Sequence, residues 1–131
     1  MILLDTHALI WWVNDPSQLS TVAQSAIEEA RKRNALYVSC ISSWEIALLV
    51  QRNRLQLSLD VRDWLARCEA LPFLSFMPVT TAIAVESTRL PDFPHADPAD
   101  RIIVASALSL GAKLITKDEK IHQYRNQLSV W

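Results

Sequence analysis

Glycine is almost absent from this chain, which has one, Gly111, among 131 residues. Loops that hold a nucleotide phosphate against their backbone need several glycines close together, as in the GxGxxG and Walker patterns. A single glycine permits neither pattern, so the composition excludes the dinucleotide-binding and P-loop classes of protein. Gly111 itself follows a long apolar segment, where a helix commonly ends in a residue of positive φ.

Cysteine is also scarce, because only Cys40 and Cys68 are present. Two cysteines are too few for a disulfide framework and lack the spacing of zinc ligands, so we expect two buried free thiols. No apolar run is long enough to span a bilayer, and the first residues, MILLD, lack the basic flank of a signal peptide. These absences predict a soluble, cytoplasmic protein with no membrane partner.

An excess of charge of either sign is missing as well. The 13 Lys and Arg residues face 14 Asp and Glu residues, which does not by itself indicate a nucleic-acid-binding protein. If five acids are gathered in one pocket, 9 acidic residues remain against the 13 basic ones. The basic residues then either form a rim that attracts phosphate or lie on solvated helix faces. The candidates for the rim are Arg31, Lys32, Arg33, Arg52, Arg54, Arg62, Arg67 and Arg101.

Half of the residues are hydrophobic, which indicates a folded globule, and the length suits one domain. Strand-like apolar runs alternate with helical patterns, which is typical of a parallel sheet with helices on both faces. The predicted strands are MILL, ALYVSC, FLSFMPV, KLIT and LSVW. The predicted helices follow Asp5, cover 21–33 after a cap at Ser20, run from Ser42 or Ser43 to 52, cover 61–71 after Asp60, run from Thr80 or Thr81 to 89, begin at Asp97, and follow Asp118.

Acidic residues recur where these strands end or the helices begin. Asp5 ends the first strand, Glu45 falls in the first turn after the second strand, and Asp118 follows KLIT. Asp97 and Asp100 fall in the first turn of the long last helix. The carboxyl ends of parallel strands and the amino ends of the packed helices share one edge of the sheet, where open α/β proteins bind ligands. We therefore expect all five acids at that edge.

Helix capping is the alternative explanation for each acid taken singly. Asp97 suits an N-cap, with Pro98 as the first helical residue and Asp100 as the third. Ser42 and Glu45 have the S-x-x-E spacing of a capping box. Asp5 and Asp118 can also cap the helices that follow them. A cap contributes about 0.5–2 kcal/mol.

Taken together, the acids are poorly explained by capping. Two carboxylates about 5 Å apart repel by roughly 3 kcal/mol at an effective dielectric constant of about 20, which exceeds what one cap contributes. Protons or a cation make such a cluster tolerable. Oxygen-only ligands without histidine or cysteine nearby favour Mg²⁺ or Mn²⁺ over zinc. We interpret Asp97 mainly as a cap and Asp100 as a metal ligand.

Four segments, in this order, resemble the PIN-domain ribonucleases, and most closely the VapC-type toxins of type II toxin–antitoxin pairs. They are LLDTHALIWW, SCISSWEIALLV, HADPADRIIVASA and LITKDEKI. The resemblance implies one PIN domain over residues 1–131, with a three-layer α/β/α fold and a five-stranded parallel sheet. It also implies that the chain is a metal-dependent endoribonuclease, with an RNA substrate and a cognate VapB-like antitoxin that blocks the acidic pocket.

The resemblance also implies which acids act. Asp5, Glu45 and Asp100 occupy the catalytic positions of the family, with Asp118 as a fourth. We predict that Asp5 and Asp100 hold Mg²⁺ or Mn²⁺ directly, while Glu45 and Asp118 bind through waters or position a second ion. Asp97 belongs to a DPxDR variant of the motif. One departure is Asn53, where relatives usually have glycine, but asparagine tolerates positive φ.

Neutral and basic side chains near the acids receive lesser predictions. Thr6 and Thr116 are expected to hydrogen-bond the carboxylates or a water on the metal, since such partners orient ligands. His7 and His95 are interpreted as bystanders in capping or surface roles, because a hard cation does not need imidazole. His122 is expected to be exposed on the last short helix.

Arg101 and the tryptophans complete the candidate residues. Arg101 is expected either to form an ion pair with the acids or to meet a phosphate. Trp44 and Trp64 fit core positions of their helices. Adjacent Trp11 and Trp12 are not expected to face one core, so one of them lies either in a homodimer or antitoxin interface or in peripheral packing.

Other acid-bearing classes fit less well. A phosphatase with an aspartyl nucleophile needs a second aspartate two residues after the first, where this chain has His7. A response-regulator receiver domain needs an aspartate after its third strand, where this chain has Thr80 and Thr81. The remaining alternative is a non-catalytic PIN-like module that binds RNA or a protein.

Overall fold

Parallel pairing organises the whole sheet. The computed structural model describes residues 1–125 and 127–131. Within these residues five strands form one sheet in the order β3-β2-β1-β4-β5, and every neighbouring pair is parallel. The strands are β1 (Ile2–Leu4), β2 (Leu36–Ser39), β3 (Leu74–Met77), β4 (Lys113–Ile115) and β5 (Ser129–Val130). The predicted five-stranded parallel sheet is confirmed.

Helices connect successive strands and cover both faces of the sheet. They are α1 (Thr6–Asn14), α2 (Thr21–Lys32), α3 (Cys40–Gln51), α4 (Val61–Glu69), α5 (Thr81–Ser87), α6 (Pro98–Leu110) and α7 (Glu119–Tyr124), with a 3₁₀ turn at Pro16–Gln18. Where the chain is described, none of these helices combines the length and apolar character that crossing a membrane requires.

Alternation along β1 assigns the helices to two layers. Ile2 and Leu4 pack in a core cluster with the buried residues of α1, α2 and α4. Leu3, which points to the opposite face, packs in a second cluster with α6 and α7. Leu3 and Leu4 have no solvent exposure. The central strand is therefore covered on both sides, and the α/β/α architecture is confirmed.

The start of α3 differs from the prediction. The helix begins at Cys40, directly after β2, and its N-cap is Ser39, whose hydroxyl accepts from the Ile41 N–H at 3.1 Å. No loop separates strand and helix, so Ser42 lies inside the helix and is fully buried. The predicted capping box of Ser42 and Glu45 is wrong. Glu45 lies in the second helical turn and is free of any capping role.

Several burial predictions are corrected. Cys68 is buried as expected, but Cys40 is exposed because it begins a helix at the sheet edge. Trp64 is 4% exposed and belongs to the core, whereas Trp44 is 55% exposed. Trp11 and Trp12 are both half-buried and pack against the same core cluster, contrary to expectation. The two indole rings are large enough to contact different sides of this cluster from neighbouring positions of α1.

Left-handed residues end three of the helices. Asn34, Asn53 and Gly111 have φ values of 53°, 57° and 65°. At each of them the next N–H closes a bond back to the last turn, as in Arg54 N to Leu49 O at 2.9 Å and Ala112 N to Ala107 O at 2.9 Å. This is the Schellman pattern, and it supports the expectation that asparagine replaces glycine at position 53 without distortion.

Gly111→Ala is expected to lower the free energy of unfolding by about 1 kcal/mol, because an L-residue with a side chain is strained at left-handed φ. A Cβ at position 111 would meet nothing within 4 Å, so only backbone strain contributes. Urea denaturation measures the loss. Gly111→Asn is the matched control and should lose less, since Asn34 and Asn53 adopt this conformation. Equal losses in the two variants would contradict this account.

Candidate active site

One cavity of about 310 Å³ lies at the carboxyl edge of the sheet, where β1 and β4 end. It is lined by Asp5, Thr6, His7, Trp11, Glu45, Asp97, Asp100, Ile103, Thr116, Lys117 and Asp118. All five acids that the sequence places at this edge are therefore brought together, across more than a hundred residues of chain. Strand direction accounts for the gathering, because each acid follows a strand or lies near the start of a helix.

Asp5 is held at the centre of the sheet edge. Its N–H donates to Ile115 O at 3.1 Å, and its carboxylate caps α1 by accepting from Ala8 N at 2.8 Å. Burial raises the pKa of Asp5, and the hydrogen bonds from Thr116 and Ala8 offset this only in part. The negative charge of Asp100 raises this pKa further. Asp5 thus combines a capping role with a carboxylate whose charge is poorly solvated.

Glu45 is oriented by two hydroxyl groups. The Thr6 hydroxyl donates to the Glu45 carboxylate and lies 2.9 Å from the Ser42 hydroxyl. Both Thr6 and Ser42 are buried, so this arrangement is fixed by packing. Burial raises the pKa of Glu45, the Thr6 hydrogen bond lowers it, and the charge of Asp97 raises it again.

Asp97 and Asp100 have different roles at the start of α6. The Asp97 carboxylate accepts from Ala99 N at 2.8 Å and from Asp100 N at 3.3 Å, so the predicted N-cap is confirmed. Asp100 makes no cap of this kind and faces the cavity. Burial, followed by the charges of Asp97 and Glu45, raises the pKa of Asp100 to about 6. Asp100 therefore joins Asp5 and Glu45 as a carboxylate whose charged form is disfavoured in this cavity.

Hydrogen bonds stabilise the charged form of Asp118. It caps α7 through Lys120 N at 2.9 Å and Ile121 N at 3.1 Å. Its other oxygen lies 2.9 Å from Nε2 of His95. Burial acts to raise the pKa of Asp118, but the hydrogen bonds from His95 and the α7 backbone outweigh it and leave the pKa lowered.

The histidines correct the sequence interpretation. His95 is not a bystander, because it touches Asp118 and its side chain is only 17% exposed. His122 is half-buried rather than exposed: Nε2 lies 2.7 Å from Thr116 O and Nδ1 lies 2.6 Å from the Ser129 hydroxyl. Nothing in the spacing of either histidine signals these contacts, which depend on how α7 and the loop before α6 fold back. His7 is exposed and lines the cavity.

Thr116 links two of the acids. Its side chain is fully buried, hydrogen-bonds Asp5 and accepts from the Asp118 N–H at 3.1 Å. The expectation that Thr6 and Thr116 hydrogen-bond the carboxylates is confirmed. Since β4 ends at Ile115, the hydroxyl stands between the ends of β1 and β4. It fixes the relative positions of carboxylates that belong to different segments.

Arg101 does neither of the two things expected of it. Its Nε donates to His95 O at 2.8 Å and a terminal nitrogen donates to Ser87 O at 3.1 Å. Its guanidinium lies 5.5 Å from the centre of the Phe93 ring. The arginine therefore anchors the loop between α5 and α6, which carries His95 to Asp118. The sequence gives no sign of which loop carbonyl groups accept hydrogen bonds from a side chain.

The predicted basic rim is only partly formed. Arg31 and Arg33 pair with Glu28 and Glu29 at the end of α2, which leads into β2 and so lies at the opposite edge of the sheet. Arg52 and Arg54, in contrast, line a groove of about 260 Å³ that shares Glu45 and Asp97 with the acidic cavity. Lys117 also lines the cavity and lies 5.9 Å from the Trp11 ring. The basic groups near the acids are thus few and local.

A cation site is offered by three of the side chains. One ligand atom each of His95, Asp100 and Asp118 lie within 4.8 Å of one another. Asp5 lines the same cavity and interacts electrostatically with Asp100. The carboxylate oxygens suit Mg²⁺ or Mn²⁺, whereas the imidazole of His95 departs from the oxygen-only ligand set expected from the sequence. A bound cation would offset the charges of Asp97 and Glu45, which, after burial, raise the pKa of Asp100.

Known proteins are similar to this chain in sequence and in fold. A family model described as the PIN domain matches residues 2–127. Ribonuclease VapC22 of Mycobacterium tuberculosis is 36% identical over 132 residues, which cover 99% of this chain and 98% of that protein.

Among solved structures, a toxin–antitoxin complex from Klebsiella pneumoniae matches with a TM-score of 0.64 and 22% identity, over 100% of this chain and 97% of the other. FitAcB from Neisseria gonorrhoeae matches with a TM-score of 0.69 and 20% identity, over 100% and 97%. These two likenesses concern the fold. The family match and the 36% identity go further: this chain belongs to the PIN-domain family, in its VapC-type branch.

Proposed function

We propose that this protein is a metal-dependent endoribonuclease that acts as the toxin of a toxin–antitoxin pair. The observation that carries the proposal is the meeting of Asp5, Glu45, Asp100 and Asp118 in one cavity. A relative that matches nearly the whole chain bears the name ribonuclease, which supports cleavage of RNA. We assign these four acids as the catalytic residues.

The residues present fit a hard divalent cation. We assign Asp5 and Asp100 as direct ligands of Mg²⁺ or Mn²⁺, and Glu45 and Asp118 as ligands through water or to a second ion. The raised pKa of Asp100 supports this assignment, because burial and the neighbouring charges of Asp97 and Glu45 disfavour its ionised form, which a bound cation would stabilise. When bound, such an ion supplies Lewis-acid chemistry, acidifying water and neutralising charge on the phosphate.

The remaining chemistry falls to side chains that the structure already orients. Thr6 and Thr116 hold the carboxylates of Glu45 and Asp5 against thermal rotation. Attack of water in line on phosphorus leaves a 5′-phosphate and a 3′-hydroxyl. This route needs neither a 2′-hydroxyl nucleophile nor a catalytic pair of histidines. His95 has a positioning role, since it touches Asp118 rather than a reacting atom.

A VapB-like antitoxin is the protein partner in this proposal, and it inhibits by covering the acidic cavity. The solved structures with this fold include one described as a toxin–antitoxin complex, which supports that partner. A homodimer and a cytoplasmic location remain predictions from the sequence. A non-catalytic module that binds RNA or protein is the alternative, and turnover separates the two.

Asp5→Asn is expected to abolish cleavage of single-stranded RNA, by at least about a hundredfold, because it removes a charged ligand while keeping the shape of the side chain. The variant should remain folded, since asparagine also caps helices. Cleavage is measured with a labelled oligonucleotide in Mn²⁺. Asp63→Asn, an exposed aspartate on α4, is the matched control and should cleave normally. Undiminished cleavage by Asp5→Asn, in a preparation free of other nucleases, would sink the proposal.

Asp100→Asn is expected to raise the melting temperature of the metal-free protein at neutral pH by several degrees, because it removes a crowded charge. The pKa of Asp100 is raised to about 6, so the folded protein holds a proton that the unfolded chain releases. This proton makes metal-free stability fall as pH rises from about 4 through 6, and the fall should be smaller in the variant, where only Asp5 and Glu45 still have raised pKa values.

Added Mn²⁺ should reverse this difference, so that the unaltered protein has the higher melting temperature. The unaltered protein gains stability by mass action, and Asp100→Asn gains little because it lacks a ligand. Calorimetry in chelator and in Mn²⁺ measures both effects. A metal response that is the same in the two proteins would remove Asp100 from the ligand set.

A further inference from the structure

The groove beside the acidic cavity has the composition of a subsite for single-stranded nucleic acid. It is formed by α3, the turn that ends α3, and the first residues of α6. Trp44 stands on its wall with 55% of its surface exposed, and Arg52 and Arg54 lie further along it. The sequence placed Trp44 in the core and named Arg52 and Arg54 only as candidates for a basic rim.

We propose that Trp44 stacks on a base of the RNA next to the scissile phosphate, and that Arg52 and Arg54 bind the phosphates that follow. The proposal rests on the nuclease function proposed above and names where its substrate lies. Continuity supports it, because Glu45 and Asp97 line both the groove and the acidic cavity. A strand whose phosphate occupies the cavity has the groove as its adjoining path.

Helix geometry places the three residues in a usable order. Trp44, Leu48 and Arg52 are four residues apart, so they share one face of α3, and Arg52 lies about 12 Å along the axis from Trp44. Trp44 neighbours Glu45 and therefore lies at the end of the groove nearest the acids. The order along the groove is acids, aromatic ring, arginines. The cation of the proposed function would offset the acids at one end, and Arg52 and Arg54 make the other end positive.

The arginines are available and held in a defined turn. Both are exposed, and in the described part of the chain neither forms an ion pair within 4.0 Å. Asn53 between them has φ of 57°, and the Arg54 N–H bonds to Leu49 O at 2.9 Å. The turn thus fixes the two backbone positions from which the guanidinium groups extend. Arginine binds phosphate with two parallel hydrogen bonds.

A nucleic acid suits this groove better than a protein partner does. Protein interfaces use contiguous apolar patches of several hundred Å². Here one aromatic ring is exposed, while Leu48 and Leu49 beside it are half-buried and the rest of the wall is charged or proline. A single aromatic platform with cations beside it is the arrangement that binds unpaired bases without sequence readout.

The test measures RNA binding apart from cleavage. In the Asp5→Asn background, the affinity for a fluorescein-labelled single-stranded RNA is followed by anisotropy over a range of salt concentrations. Trp44→Ala should weaken binding by about 5- to 100-fold, and Trp44→Phe should keep most of it. Arg52→Gln and Arg54→Gln should each weaken binding and reduce the slope of log affinity against log salt by about 0.7. Arg33→Gln, at the opposite edge of the sheet, is the control and should do neither.

A second readout uses the active protein. Trp44→Ala should raise KM for RNA while kcat changes less than about twofold, because stacking on a base that takes no part in the bond change contributes equally to ground and transition states. Circular dichroism melting checks the fold. The arginine variants, which are on the surface, test the groove independently if Trp44→Ala fails to fold.

Two results would overturn the proposal, and they are distinguishable from failure of the proposed function. If the unaltered protein cleaves RNA and Trp44→Ala binds RNA as its parent does, only the subsite is wrong. If Trp44→Ala changes the sedimentation of the protein and not its RNA affinity, the groove is a protein interface. If the unaltered protein neither binds nor cleaves RNA, both the function and the subsite are wrong.

Discussion

Crowding of negative charge at one edge of a parallel sheet is the constraint around which this protein is built. The topology brings five acids to one cavity. Loss of water there disfavours the charged form of each carboxylate, and the negative charges of its neighbours disfavour it further. The pKa of Asp100 rises to about 6, whereas that of Asp118 is lowered by His95 and the α7 backbone. The pKa values of Asp5 and Glu45 are raised as well, so the cost of ionisation is shared by three carboxylates, and a bound cation would relieve it.

Neutral groups do most of the positioning around these acids. Buried hydroxyls of Thr6 and Thr116 restrain the two carboxylates that lie closest to the central strand. Arg101, although next to Asp100 in sequence, donates its hydrogen bonds to loop carbonyl groups. These bonds hold the loop in which His95 contacts Asp118. A guanidinium among the acids would offset their negative charge; because Arg101 points to the loop carbonyls instead, the cavity stays negative.

The sequence predicted the sheet well because strand direction follows from local patterns. Short apolar runs alternating with helices leave few parallel topologies, and those topologies share one ligand-binding edge. Errors arose where a boundary moved by a few residues or a side chain reached across the chain. Ser39 rather than Ser42 caps α3, since β2 passes into the helix without a loop. Trp44 then faces solvent beside the acids instead of the core, which the periodicity of α3 did not indicate because its apolar residues extend around the helix.

The sequence alone determined the five parallel strands and the position of the acids at their carboxyl edge, because apolar periodicity and the ends of strands are local properties. Asn53 and Gly111 were likewise readable, since positive φ at a helix end depends on one residue and its neighbours. The order of the strands in the sheet was decided by the tertiary structure. The tertiary structure alone decided which charges are compensated. The contacts of His95 with Asp118, of Arg101 with Ser87 and of Thr116 with Asp5 join segments far apart in the chain. Such contacts depend on how the layers pack, and no residue spacing encodes them.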